Sequence, residues 1–351
     1  MNRSLRTRSV AVLVLAAALG LTGCASNSGS PAASSSSKSL TGWDKVVAEA
    51  NQEGSVTFYS SAADPSNAAL VSAFNKAYPN IQVQVTRLIS GDLTSRFSSE
   101  KEAGAPSADV VQVADNVMLT AHPEWFTKMN KALLPNIAKV PAAQVSKIVG
   151  KDYVSATIAP FTVTINTNLV KKAPKTWKDL ISAPYAGKGS LADPRSASSF
   201  MATYAMLKAA YGDSYLKKLG TSGDAFYTAS ATQAPLVAAG STGYFAPSAG
   251  DNSAALRASG APLKAVVVSP ILALTQNIGI NSKAVHPAAA RVLSNFILSH
   301  AGQAAICSPD IQTIMYSDIA NCPVASSKTT IVDYAKGTAE QAQIISLLGL
   351  H

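Results

Sequence analysis

Histidine, cysteine and charge are all scarce in this chain, and each scarcity excludes something. Only four histidines occur among 351 residues, His122, His286, His300 and His351, and none lies in a His-Glu-x-x-His helix of the kind that holds zinc. No Gly-x-Ser-x-Gly nucleophile elbow is present. Neither a general base nor an activated nucleophile stands in a motif, so no enzymatic activity and no cofactor are expected; an exported hydrolase is the remote alternative. Of the three cysteines, Cys24 stands apart, while Cys307 and Cys322 have no third or fourth ligand at metal spacing. Charged residues make up 14% of the chain, without a basic cluster interleaved with aromatics, which argues against nucleic acid as a partner. The apolar run Val10 to Leu19 is far shorter than the ~20 residues a membrane-spanning helix needs.

Apolar residues, by contrast, form 47% of a chain longer than one core usually serves, so two lobes are expected. The apolar run follows Arg3, Arg6 and Arg8 and precedes Leu21-Thr22-Gly23-Cys24. A basic segment, a short apolar segment and small residues before a cleavage point make a secretory signal over residues 1–23. Leu-Thr-Gly-Cys resembles the bacterial lipoprotein signal, which implies that Cys24 is acylated and holds the chain at the outer face of the cell membrane. Losing residues 1–23 removes three arginines and no acid, so a net charge of +9 becomes +6. That balance suits an anionic ligand and equally an ordinary soluble surface. Residues 24–40, small and Ser-rich, read as the lipidated cysteine and a flexible linker. In an exported chain Cys307 and Cys322 are expected to form a disulfide, two free buried thiols being the other reading.

Beyond Trp43 the pattern alternates. Ser55–Tyr59, Ile81–Val85 and Asp109–Val113 read as strands, and Asn67–Ala77 carries Leu70, Val71, Phe74 and Ala77 at helical spacing. Alternating strands and helices give an α/β fold with a largely parallel sheet. Ligands of such sheets sit beyond the carboxyl ends of the strands. Three such ends carry polar residues: Tyr59-Ser60-Ser61, then Arg87 with Ser90-Gly91, then Asp115-Asn116. Hydroxyls and helix N-termini suit an anion, although Ser60, Ser61 and Ser90 also fit simple helix caps. A long strand is expected within Tyr153–Asn166, and a helix opening at Pro174–Leu180. Asp193-Pro194-Arg195-Ser196-Ala197-Ser198-Ser199 leads into the helix Phe200–Tyr211, a second candidate anion cradle.

Several ordered blocks then carry a family resemblance: Gly54–Ser61, Phe74–Ile81, Glu100–Gly104, Ala108–Val110, Ile165–Thr167, Thr176–Leu180, Leu191–Arg195, His286–Ala290 and Leu298–Gln303. Together they resemble the extracellular solute-binding proteins of ABC importers, within the type 2 periplasmic-binding branch that includes ferric-ion-binding proteins. The resemblance implies two α/β lobes with a ligand cleft between them, joined by crossings near 158–166 and 270–278. Lobe I would span 41–157 with 275–306 returning to it, and lobe II 158–274 with the tail 307–351 packed on it. It implies a monomer that hands a small-molecule ligand to a membrane permease driven by an ATPase. Ferric members typically carry an adjacent Tyr-Tyr pair where this chain has Ala246-Pro247-Ser248-Ala249-Gly250-Asp251. A small organic anion such as a phosphonate or phosphate ester is therefore the expected ligand, with ferric iron or an iron chelate as the alternative. The candidate ligand-binding residues are Tyr59, Ser60, Ser61, Ser90, Asp115, Thr162, Arg195, Ser198, Tyr244 and Ser248. Arg195 would pair with charge, the tyrosines would form a wall, and Asp115 would meet an amine on a zwitterionic ligand. No metal ligand is assigned.

Overall fold

The computed structural model describes residues 41–351 apart from 143, 144, 146, 147, 309 and 314, and only the backbone of 250 and 251. The signal segment, Cys24 and the linker to residue 40 lie outside the described residues.

In the first lobe, β1 (Ser55–Ser60) pairs in parallel with β2 (Gln82–Arg87) and β3 (Val110–Val113). Every residue of β3 is buried, the mark of a strand covered on both faces. The covering helices are α1 (Gly42–Glu53), α2 (Asp64–Ala77) and α3 (Ser90–Glu102). On α2 the buried residues are Asn67, Leu70 and Phe74, a single face at helical spacing. Phe74 meets Phe296 edge-on at 5.4 Å, so a later helix, Pro287–Ile297, closes the same core. Gly54 ends α1 at φ 71°, a left-handed conformation that glycine adopts without strain.

Two long strands join this lobe to the second. β4 runs from Val154 to Asn166, and a later strand, Leu272–Ile280, runs back beside it. The returning strand pairs antiparallel with β3 on its other edge. From Val154 to Pro160, β4 faces the returning strand; from Phe161 to Asn166 it pairs with Tyr244–Ala249 and Leu263–Val267. In chain order the second-lobe strands are β5 (Gly189–Ala192), β6 (Ala225–Tyr227), β7 (Tyr244–Ala249) and β8 (Leu263–Val267), and the returning strand is β9. The path is β2-β1-β3-β9-β4-β7-β5-β6. The sheet is thus parallel among β1, β2 and β3 and among β5, β6 and β7, but antiparallel at β3–β9, β9–β4, β4–β7 and β4–β8. A chain that crosses once outward and once back must run its two crossings in opposite directions, and this corrects the expectation of a largely parallel sheet.

The helix expected to open at Pro174 is of another kind. Only a 3₁₀ turn, Trp177–Ile181, follows Pro174, held by a reciprocal cap between Thr176 and Asp179. Its Trp177 is buried and donates its indole N–H to the Pro270 carbonyl. Residues 251–259 divide into the 3₁₀ turn Gly250–Ser253 and the short helix Ala254–Ala258.

The tail works in two parts. Cys307 and Cys322 form a disulfide with Cα atoms 5.4 Å apart, and β10 (Thr330–Ile331) lies beside β9. Tyr334, Ile344 and Leu348 then join the second-lobe core. Among the described residues no helix is long and apolar enough to cross a membrane. The loop closed by the disulfide spans 15 residues in sequence separation. Replacing both Cys307 and Cys322 with alanine is expected to lower unfolding free energy by about 3 kcal/mol, the chain-entropy value for a loop of this length. Denaturant unfolding of the parent and double variant under oxidising conditions measures it.

Candidate ligand site between the lobes

The carboxyl ends of β1, β2 and β3 open on a cavity of about 180 Å³. Its first-lobe wall begins at Ser61, Ala62 and Ala63, where β1 turns into α2. The floor is the alternate residues Thr157 and Ala159 of β4 and Leu274 and Gln276 of β9. Ala249 and Asn252 reach it from the second lobe, and Ile306 and Ile311 from the start of the tail.

The local geometry is set by a lock beside the cavity. Ser60 is fully buried; its Oγ donates to Asn67 Oδ1 at 2.8 Å and accepts from the Ala62 N–H at 3.2 Å. Asn67 in turn donates to the Ala62 carbonyl. Together they fix the turn that aims the first residues of α2 at the cavity. Ser61 is the hydroxyl that lines the space: it donates to Gln276 Oε1 at 3.2 Å and accepts from the Ala114 N–H at 3.1 Å. No side chain caps α2, and Pro65 occupies its first turn, so the positive end of this 14-residue helix adjoins the cavity.

Arg87, at the end of β2, is exposed, and its guanidinium makes no hydrogen bond or ion pair among the described residues. The described lining holds no Asp, Glu, His, Cys or Tyr, so Arg87 is its one formal charge. Gln112 lines the same space at 4% exposure, and its Oε1 has no hydrogen-bond partner among the described residues.

Asp115 and Ser198 meet next to this cavity, across the two lobes. Ser198, the first residue of the helix Ser198–Tyr211, donates to Asp115 Oδ2 at 3.2 Å. The Val117 N–H donates to Oδ1 at 3.3 Å. Burial raises the Asp115 carboxyl above its ordinary value despite these two bonds. Tyr334 donates to the carbonyl of the preceding residue, Ala114, at 2.9 Å, so the tail braces the same turn.

The other candidates lie elsewhere, each with its own partner or place. Tyr59 points into the core beside α3: its hydroxyl donates to Glu100 and the Arg96 guanidinium sits 4.7 Å over its ring. Tyr244 is fully buried in the second lobe and donates to Asp224 at 2.9 Å, with burial raising its hydroxyl far above the usual range. Thr162 and Ser248 bond to each other at 2.8 Å between β4 and β7, with Thr164 as the third hydroxyl. Arg195 turns outward, clamping Asp193 at 2.7 Å and donating to the carbonyl of His351. Ser90 begins α3, half-buried and away from the cavity lining. Of the ten candidates, then, Ser61 lines the cavity, Ser198 and Asp115 meet beside it, and Ser60 supports it from behind. The lining also includes Gln112, Ser66 and Gln276, which sequence reasoning passed over. The signal for Gln112 was available: it is the one polar residue in an otherwise apolar, fully buried strand.

Residues 69–327 match the model of a family described as bacterial extracellular solute-binding protein. No curated protein matches the chain. In fold it is similar to the substrate binding protein of the ABC transporter from Agrobacterium tumefaciens, with a TM-score of 0.71 and 17% identity over 84% of this chain and 94% of that one. Iron-bound HitA from Pseudomonas aeruginosa gives 0.67 and 18%, covering 84% of this chain and 98% of the other. The periplasmic binding protein AfuA from Actinobacillus pleuropneumoniae, with fructose-6-phosphate bound, gives 0.65 and 20%, covering 85% and 100%.

The raised Asp115 carboxyl has a consequence for stability. The folded chain holds this proton more tightly than the unfolded chain does, so the contribution is fully favourable below the unfolded value and is lost as pH rises through the folded one. Asp115→Asn keeps the shape without the charge. It is expected to raise unfolding free energy relative to the parent at neutral pH, with the gain disappearing in acid. Denaturant midpoints compared across that range decide it, and a variant less stable than the parent at neutral pH contradicts the burial argument.

Proposed function

The chain belongs to the bacterial extracellular solute-binding protein family, and from that premise we propose that it is the substrate-binding component of an ABC importer, holding a small organic anion between its lobes. The carrying observation is the charge of the cavity: one guanidinium without an internal partner, the positive end of α2, and no carboxylate among the described lining residues. A phosphonate or phosphate ester supplies the complementary group, since Arg and a helix N-terminus both favour such oxygens. The fructose-6-phosphate in AfuA supports the reading that this fold accommodates a phosphate ester. Bare ferric iron, a hard cation, favours anionic oxygen ligands. The described lining offers none, and Tyr59 and Tyr244 are engaged with Glu100 and Asp224.

On this reading the chain binds and releases without catalysis. Ligand would bridge the lobes and favour the closed arrangement, with β4 and β9 as the hinge and Asp115–Ser198 as a closing contact. Acylation at Cys24 would keep the receptor at the membrane near its permease, raising its local concentration there.

Two measurements test this. Thermal melting against phosphonates, phosphate esters, ferric citrate and thiamine is expected to show stabilisation by the anions, about 2.7 kcal/mol at a hundredfold excess over Kd. Arg87→Gln is expected to weaken anion binding roughly tenfold to a hundredfold, the worth of a hydrogen bond to a charged group. Stabilisation by an iron species alone would overturn the anion assignment. Separately, Cys24→Ala is expected to move the protein from the membrane fraction into the medium; retention on the membrane would refute the anchor.

A further inference from the structure

The cavity is not uniformly polar, and its two long walls change character in the same way. On α2, Ser66 lines the space near the helix start and Leu70 lines it one turn further on. On β9, Gln276 lines it and Leu274, two residues away on the same face, lines it next. The hydrogen bond from Ser61 to Gln276 joins the polar parts of the two walls. Ile306 and Ile311 add two more branched aliphatic side chains from the tail. Against these four aliphatic residues the described lining sets a single cation, Arg87.

Resting on the reading that this site holds an anion, we infer that its ligand is an amphiphilic anion: one acidic head and a short aliphatic body, rather than a polyhydroxylated phosphate. The head lies at Arg87, Ser61 and the start of α2, and the body lies against Leu70, Leu274, Ile306 and Ile311. Hydroxyls on the part of the body that lies against these four side chains would face carbon and lose their water without a replacement partner, a loss that discriminates against them. A cavity of about 180 Å³ suits a body of a few carbons.

Calorimetric titration of the purified chain with methylphosphonate, propylphosphonate and glycerol phosphate, at fixed salt, tests the assignment. Propylphosphonate is expected to bind roughly tenfold tighter than methylphosphonate, from two additional buried methylenes. It is also expected to bind at least about tenfold tighter than glycerol phosphate, whose hydroxyls meet the aliphatic wall. Ile311→Ser, at a half-buried position outside the lobe cores, is expected to shrink the propyl-over-methyl ratio, and a ratio unchanged from the parent counts against the aliphatic wall. Glycerol phosphate binding as tightly as propylphosphonate, or a propyl-over-methyl ratio near one, overturns the amphiphilic ligand and leaves the anion reading standing. Absence of binding by all three overturns both.

Discussion

The structure depends on two strands that belong to both lobes at once. β4 pairs with β9 over Val154–Pro160 and with β7 and β8 over Phe161–Asn166, so a shift in its register would disturb both lobes together. The pleat then assigns its residues. Thr157 and Ala159 turn to the cavity, as do Leu274 and Gln276 on β9. Ile158, between the first two, and Ala273, just before Leu274, turn to the other side, where they pack with Met315, Ala325 and Ile331 of the tail. One pair of strands is therefore the crossing between the lobes, the cavity floor and the inner wall of a small core. The small and medium side chains on the cavity face follow from that position: a bulky residue at Ala159 would fill the space that the strand ends leave open.

The polar groups around the cavity divide between those already satisfied and those available. Ser60, behind the wall, bonds to Asn67, which lines the cavity, and Thr162, Thr164 and Ser248 satisfy one another between β4 and β7. Such closed sets fix geometry and have little capacity left for a ligand. Arg87 and the Gln112 Oε1 have no such partner among the described residues. Leaving a buried carbonyl oxygen unpaired costs about 1–3 kcal/mol. The fold bears that cost at the mouth of β3, and orphaned groups of this kind mark the positions where an incoming molecule can return free energy.

Much of the architecture was legible from periodicity. The spacing of Leu70 and Phe74 gave α2, the buried run after Asp109 gave β3, and the polar strand ends pointed to one edge of the sheet. The family resemblance lay in ordered blocks, and the fold agrees with it. Individual site residues were far less legible, because adjacent residues of one type receive opposite duties. Ser60 and Ser61 differ only in which side of the turn they take, and one locks the turn while the other lines the cavity. Arg195 beside a Ser-rich helix start looked like an anion clamp, but Asp193 two residues earlier and the far terminus at His351 engage it first. A distance of 156 residues in sequence hides the second of these partners. Ile306 and Ile311 were invisible for the same reason: nothing local says that the turn after the helix His300–Ile306 reaches the cavity.

The lining is also unequal between lobes, and that inequality bears on how a receptor of this kind would close. The guanidinium, the helix start and most of the hydroxyl and amide groups come from the first lobe and the crossing strands, while the second lobe contributes Ala249 and Asn252. A ligand can shift an opening equilibrium only by the difference in its affinity for the two arrangements. Contacts made wholly within the first lobe hold in both arrangements and shift nothing. On the proposed reading, the free energy of closure comes from second-lobe groups at the cleft: Asn252 in the cavity wall, Ser198 with Asp115, and Arg257 with Asp310 of the tail just beyond that wall. Asp115 and Asp310 both accept from second-lobe donors, and both carboxylates lie outside the lining itself. Among the described residues negative charge lies on these contacts and away from the space where the proposed anion sits, so on this reading capture and closure use carboxylates without opposing each other.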